Sequence, residues 1–367
     1  MLNTKVENKL DLSIIIPVFN GELHIENCLK IILKQAFVGT YEVIVINDAS
    51  TDNSLEILEK FKNLNLKIFS LKSNLGQSAA RNTGIKMARG EYIFFIDIDD
   101  SIVNNTLNIL FNKANEMNYD FVCTDFKRIE NFINQRDGKY NYSQDRLFKN
   151  NDIILAMHNE LHDPTLGHLG LFGCNGRLIK RSIITKNNIF FEEKLRWLED
   201  KTFCWDVLSH VKEAFYIHQQ LYSYYVYPNI KTAITESLIN GFSFDYIKII
   251  NKHIRNSLMQ RNASNEEKEK LCQQGLIFYS IQVLVSISRS MLLGKIELKQ
   301  AKKIRRVLIN EMFADKDLKK AIKNYTVSEK ESPWIPKAIA LRSKLVLEFL
   351  CDLRAKQVVK RRRIGKE

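Results

Sequence analysis

Residues 74–100 read NLGQSAARNTGIKMARGEYIFFIDIDD. Gly76 precedes a helical run, QSAARNTGIKMA, and Tyr92 to Ile96 form a strand apolar on both faces. Three carboxylates then arrive within four positions, Asp97, Asp99 and Asp100. Carboxylates this close raise one another's pKa unless a cation neutralises them. A hard divalent cation such as Mg2+ or Mn2+ takes oxygen ligands and often shares its shell with phosphates. The bland alternative is a helix start in DDSIVNNTL capped by Asp100 or Ser101, which accounts for one carboxylate of the three. Arg81, in the first turns of the helix, sets a cation and free backbone N–H groups near the strand ends, an arrangement suited to a diphosphate.

The same alternation extends toward the N-terminus. LSIIIPVFN is a buried strand and ELHIENCLKIILKQ a helix, with Leu23, Ile25, Leu29, Ile32 and Leu33 near helical spacing. YEVIVIND, NSLEILEKF and LKIFSL continue as strand, helix and strand. Short connections between alternating elements predict an α/β fold, a mostly parallel sheet with helices on both faces. Ligands of such sheets bind beyond the carboxyl ends of the strands. Those ends carry Pro17 to Asn20, Asn47-Asp48 and Asp97 to Asp100. Neither GxGxxG nor GxxxxGK[ST] occurs, so Rossmann dinucleotide and P-loop readings lack their phosphate grips. Residues 131–151 turn polar and lose periodicity, which reads as a surface excursion.

Together, SIIIPVFNGELHIENCLKIILKQ, EVIVINDASTDNS and NLGQSAARNTGIKMARGEYIFFIDIDD resemble, in order and spacing, the family-2 glycosyltransferases with the GT-A fold. GCNGRLIKRSIITKNNIFFEEKLRWLEDKTF resembles their acceptor-side segment, and QLYSYYVYPNIKTAI their closing tyrosine-rich strand. The resemblance covers Leu12 to Ile234 and implies a catalytic domain over 1–240, with a nucleotide-sugar half at 1–125 and an acceptor half at 150–235. It implies that Pro17, Asn20 and Glu22 line the nucleotide pocket, that Asp48 meets the base, typically uracil, and that Arg81 lies nearby. Asp97 and Asp99 would form the DxD motif, touching the ribose and a Mn2+ or Mg2+ ion, with Asp100 a further metal candidate. Asp200 would be the general base, with Glu199 beside it. The implied reaction is an inverting, metal-dependent transfer from a UDP-sugar to a glycan or lipid-linked saccharide, such as lipooligosaccharide or capsule. One departure is Asn47, where the family often has an acid, so that Asp48 alone carries over. Outside the family context, a Glu-Asp pair starting a helix is an ordinary dipole-favoured first turn. A polyprenyl-phosphate sugar transferase and a non-catalytic glycan-binding module on the same fold are the alternatives.

Composition marks a second region. Residues 241–367 hold 28 Lys/Arg against 13 Asp/Glu, a net of +15, whereas residues 1–240 carry a net of −2. This basic, helix-like region implies an anionic partner. No nucleic-acid-reading motif accompanies it, so nucleic acid is not expected. After Pro336, apolar residues from Ile339 to Leu353 recur at helical spacing, with Trp334 before them and KRRR beyond. Residues 333–367 therefore read either as an amphipathic tail on an anionic membrane or as a helix packed on the protein. GLIFYSIQVLVSISRSMLL, at 275–293, contains Gln282, serines and Arg289, and reads as a buried helix rather than a membrane span. Six scattered cysteines without CxxC, and no signal peptide, lead us to expect a reducing, cytoplasmic setting, peripheral on the inner membrane if the tail binds lipid. His158, His162 and His168 lack the zincin pattern and read as surface or acceptor-loop histidines.

Overall fold

A single strand, β1 (Leu12–Val18), is buried along its whole length and organises the first of two units. The structure, a computed structural model, describes residues 10–62, 66–130, 133–134, 143–162, 169–227, 233–261, 263–327 and 331–363. The first unit comprises residues 1–150, 169–193 and 199–226; the second comprises 151–168, 194–198 and 227–367. The segments 151–168 and 194–198 thus group with the basic region, although they lie inside the stretch read as the acceptor half.

After β1 come α1 (Ile25–Leu33), β2 (Tyr41–Asn47), α2 (Ser54–Glu59), β3 (Leu66–Ser70), α3 (Gln77–Met87) and β4 (Tyr92–Phe95). These reproduce the alternation legible in the sequence. β1 pairs in parallel with β2 and β4, and β2 in parallel with β3. The chain continues through β5 (Ser101–Ile102), α4 (Thr106–Glu116), β6 (Phe121–Glu130), β7 (Ile133–Asn134) and β8 (Arg146–Phe148). α5 (Asn150–His162) leads into the second unit, and the first resumes with α6 (Leu169–Phe172), β9 (Leu178–Lys180), α7 (Arg181–Lys186), α8 (Glu199–His210) and β10 (Ala214–Val226). The sheet order is β3-β2-β1-β4-β9-β6-β10-β5. β9 runs antiparallel to both β4 and β6, and β10 runs parallel to β6, so the sheet is parallel on one side and mixed on the other. The polar excursion supplies β7 and β8, which pair with β6 and β10; residues 135–142 lie outside the described residues.

The helix start weighed as the alternative at Asp100 is not formed, and the histidine reading falls outside the described side chains. Asp100 and Ser101 do not cap a helix: Ser101-Ile102 pairs with Ser223 and Tyr222 of β10, and α4 begins only at Thr106, after a left-handed Asn105. His168 lies outside the described residues, as do the side chains of His158 and His162.

The second unit is helical: α9 (Ala233–Ile239), α10 (Phe244–Gln260), α11 (Asn265–Leu292), α12 (Leu298–Ala314), α13 (Lys316–Ala321), α14 (Trp334–Ala340) and α15 (Lys344–Arg363). A capping box starts α11: the Ser264 side chain accepts from the Glu267 N–H, and the Glu267 side chain accepts in return from the Ser264 N–H. α11 is long and apolar enough to cross a membrane, but 72% of its most apolar stretch is buried, so it forms the core of this unit.

Close approach between the α3–β4 turn and the start of β1 sets how these two strands enter the sheet, at the end away from the Asp97–Asp100 segment. A Cβ on Gly90 would lie 2.4 Å from the Ser13 backbone nitrogen and 2.5 Å from the Leu12 carbonyl carbon, where only backbone could yield. Gly90→Ala is therefore expected to cost about 2–3 kcal/mol of stability, measured by urea denaturation. A loss below about 0.5 kcal/mol would show that this turn gives way freely.

Candidate active site

The parallel register brings the ends of β1, β2 and β4 to one edge, since Val18 pairs with Asn47 and Ile15 with Phe95. The loops after β1 and β2 lock together. The Asn20 side-chain oxygen accepts from the Thr51 N–H, at 2.8 Å, and Asn20 N–H donates to Ser50 Oγ. Glu22 Oε2 accepts from the Asn53 N–H and side-chain amide, while Glu22 N–H donates to Asp52. Pro17 is buried in β1 opposite Ile46. Asn47, the departure noted above, accepts from Ser50 N–H and donates to Ser70 Oγ, so it serves as a neutral turn brace.

Asp48 is buried, and its two carboxylate oxygens accept from Leu75 N–H and Gly76 N–H, each at 2.7 Å. It thereby ties the end of β2 to the loop opening α3. Gly76 has φ +92, a conformation that glycine adopts without a Cβ penalty.

α3 then presents Arg81, which is only 2% exposed. Its Nη2 donates to Asp97 Oδ1 at 2.8 Å, and its Nη1 lies 3.5 Å from Glu199 Oε1. Among the described residues its buried Nε and Nη1 have no hydrogen-bond partner. Asp97 is fully engaged: Gln77 Nε2 donates to the same oxygen as Arg81, and Asn175 Nδ2 donates to Oδ2 at 2.7 Å. Asp100 is also held by protein, accepting from the Tyr222 hydroxyl at 2.5 Å and from the Tyr225 N–H at 3.1 Å. Burial, with Asp97 and Asp99 nearby, raises its pKa well above the usual range. Burial and the charge of Asp100 likewise keep the Tyr222 phenol protonated as the donor.

Asp99 differs from both. Burial, then Asp97, raise the pKa of its carboxylate, opposed by its own backbone N–H and the charge of His24. Sequence reading placed Asp97, Asp99 and Asp100 together as metal ligands. Among the described residues no three His, Cys, Asp or Glu side chains converge as a cation site. Asp97 and Asp100 face protein donors, which leaves Asp99 as the carboxylate open to a cation. One such carboxylate suits Mg2+ or Mn2+ when diphosphate oxygens and water supply the remaining ligands.

Across Arg81 stand Glu199 and Asp200, in the first turn of α8. Burial and the neighbouring Asp200 charge push Glu199 up to about 7, against the lowering effect of Arg81. Burial also raises Asp200, opposed by Arg81 and Lys201. Leu198, just before them, has φ +63, and Ala49, just after Asp48, has φ +54. Such backbone is costly for residues with side chains and collects at functional sites.

Sequence reading did not single out Gln77, Asn175, Tyr222 or Tyr225. The signal for Asn175 is its place between Gly173 and Gly176: Gly176 has φ +68, and a Cβ there would meet Tyr222 at 2.7 Å.

Residues 13–185 match the model of the family described as glycosyl transferase family 2. Over those residues, a little under half of its length, the chain is similar to the family-2 glycosyltransferases. The poly(ribitol-phosphate) beta-N-acetylglucosaminyltransferase TarP of Staphylococcus aureus is 30% identical to it over 59% of this chain and 62% of that protein. The cholesterol galactosyltransferase of Borreliella burgdorferi is 30% identical over 59% of this chain and 61% of that protein, so the chain spans less than two thirds of either relative. The crystal structure of S. aureus TarS in complex with UDP-GlcNAc superposes with a TM-score of 0.67 at 21% identity, covering 95% of this chain and 92% of that one. The fold is thus GT-A, followed by a C-terminal helical region.

The partners of Asp97 and Asp99 predict opposite effects on stability. Asp97→Ala strips the buried Arg81 of its nearest carboxylate and is expected to cost about 3–5 kcal/mol. Asp99→Ala is expected to be neutral or stabilising near pH 7. A carboxyl with a raised folded pKa loses stability as pH climbs past its unfolded value, and the substitution removes that loss. Urea denaturation of both variants without ligand checks the contrast, and equal costs would refute it.

Proposed function

We propose that the protein is an inverting glycosyltransferase that moves a sugar from a UDP-sugar to a hydroxyl of a growing surface glycan. The observation that carries this reading is the Arg81 bridge, which joins Asp97 at the end of β4 to Glu199, the neighbour of Asp200, at the start of α8. Donor-side and base-side carboxylates are thereby set around one buried cation.

The relatives support sugar transfer, with named acceptors as unlike as a polyol-phosphate polymer and a sterol. What these acceptors share is a free hydroxyl, the group the proposed base would deprotonate. The UDP-GlcNAc held by TarS supports a UDP-sugar donor. We assign the acceptor to the glycan class, such as lipooligosaccharide, capsule or another lipid-linked saccharide.

In this mechanism Asp97, held by three donors, meets the ribose as a fixed acceptor. Asp200 takes the proton of the acceptor hydroxyl. The oxygen attacks the anomeric carbon from the face opposite the diphosphate, the bond to the diphosphate oxygen breaks, and UDP leaves with the electron pair. One displacement inverts the configuration and leaves the proton on Asp200. Glu199 is the weaker candidate for the base because its carboxylate faces Arg81 at 3.5 Å. A divalent cation held by Asp99 would offset the charge growing on the departing diphosphate.

Release of UDP from a panel of UDP-sugars with Mn2+ and a glycan acceptor tests the donor and the base together. Asp200→Asn is expected to lower kcat about 100- to 10,000-fold. Undiminished turnover would remove Asp200 as the base, and no UDP release by the unaltered chain from any donor would end the UDP-sugar reading.

The Glu199–Asp200 pair also sets a pH profile. The base acts deprotonated, and burial raises Asp200 above the usual carboxylate range, so kcat/KM should fall on the acid side at a higher pH than an ordinary aspartate would set. Glu199→Gln removes a neighbouring negative charge and should move this acid limb to lower pH. An unmoved limb would mean that the pair does not control the reaction.

A further inference from the structure

α15 has two apolar faces. Leu347, Cys351 and Ala355, spaced four apart, are fully buried. Leu345, Phe349 and Leu353, also spaced four apart but two positions out of step, are exposed, at 82%, 66% and 44%. Two positions on a helix amount to roughly half a turn, so one face packs into the second unit and the opposite face points away from it. Leu341, Val346 and Trp334, close to this stripe in the sequence, are exposed as well. An apolar stripe of this length, left uncovered, marks an interaction surface.

The charges beside the stripe are sorted by sign. Both acids of α15 turn inward to the buried Arg305 of α12: Asp352 Oδ1 lies 2.6 Å from its Nη1, and Glu348 Oε1 lies 3.5 Å from its Nε. The cations stay outside. Arg342, Lys344, Lys356 and Lys360 are exposed, Lys337 Nζ sits 4.6 Å from the centre of the Trp334 ring, and the sequence of α15 ends in four consecutive cations, Lys360 to Arg363. A symmetric contact with a second copy would bring these same cations together. An apolar face fringed by Lys and Arg, with Trp at one end, is instead complementary to an anionic lipid interface.

We propose that the outward face of α14 and α15 docks the protein on anionic membranes: Leu345, Phe349 and Leu353 enter the acyl boundary and the flanking cations meet lipid phosphates. The helix lies in the interface plane and does not span the bilayer. This makes the protein a peripheral membrane protein independently of the reaction it catalyses.

Density-gradient flotation of the full chain tests the proposal, using vesicles of phosphatidylcholine with phosphatidylglycerol against phosphatidylcholine alone. The unaltered chain should float with the anionic vesicles and remain at the bottom with the neutral ones. Leu345→Glu with Phe349→Glu should weaken partitioning about tenfold or more with an unchanged thermal melt, because both side chains are already in solvent. Lys356→Glu with Lys360→Glu should weaken binding to anionic vesicles and reduce its salt sensitivity, and it carries the test should the first variant fold poorly. Absence of flotation by the unaltered chain, or flotation unchanged in both variants, would overturn the proposal. Sedimentation showing self-association that the Leu345/Phe349 variant loses, without vesicle binding, would overturn it in favour of a second copy.

Discussion

A guanidinium almost wholly removed from water is the constraint around which the first unit is arranged. Arg81 cannot shed its charge, so its position on α3 obliges carboxylates to converge on it. Asp97 comes from the end of β4 and Glu199 from the start of α8, elements separated by about a hundred residues of chain. The same cation therefore sits where the central strand ends and where a helix from much later in the chain begins. Among the described residues its Nε and Nη1 have no hydrogen-bond partner, which is unusual for buried donors.

Around this cation the carboxylates divide by partner rather than by position. Asp48 holds a loop, Asp97 is clamped by three donors, Asp100 is anchored to β10 through Tyr222 and Tyr225, and Asp99 lies within the electrostatic reach of His24. The cluster carries a cost in folding free energy, seen in the raised pKa values of Asp99, Asp100, Glu199 and Asp200 and in the left-handed backbone at Ala49 and Leu198. Such local strain persists where the surrounding structure over-determines it, and here a strand buried from Leu12 to Val18 supplies that support.

The amino-acid sequence made the strand–helix alternation readable because each element is specified by neighbours a few residues away. Tyr92 to Phe95 is apolar on both faces and can only be a central strand; Gly76 before α3 and the acids after β4 are local signals too. What was not readable depends on partners far along the chain. Three aspartates in four positions look alike in sequence, and only the arrival of Asn175 and Tyr222, 78 and 122 residues later, separates Asp97 from Asp100. The antiparallel insertion of β9 between β4 and β6 was hidden for a related reason: three residues, Leu178 to Lys180, are too few to show periodicity. The alternative of a helix cap at Asp100 gave way because pairing of Ser101-Ile102 with β10 outweighed a local preference.

The sorting of charge on α15 has a practical consequence for anyone wanting to change the surface behaviour of this protein. Cutting the chain before Lys344 would remove the partners that neutralise Arg305 and uncover the part of the helical core that Leu347, Cys351 and Ala355 seal. The outcome would be an aggregating fragment rather than a better-behaved protein. The helix is at once a wall of the second unit and its outer skin, so only the skin can be edited, one exposed side chain at a time.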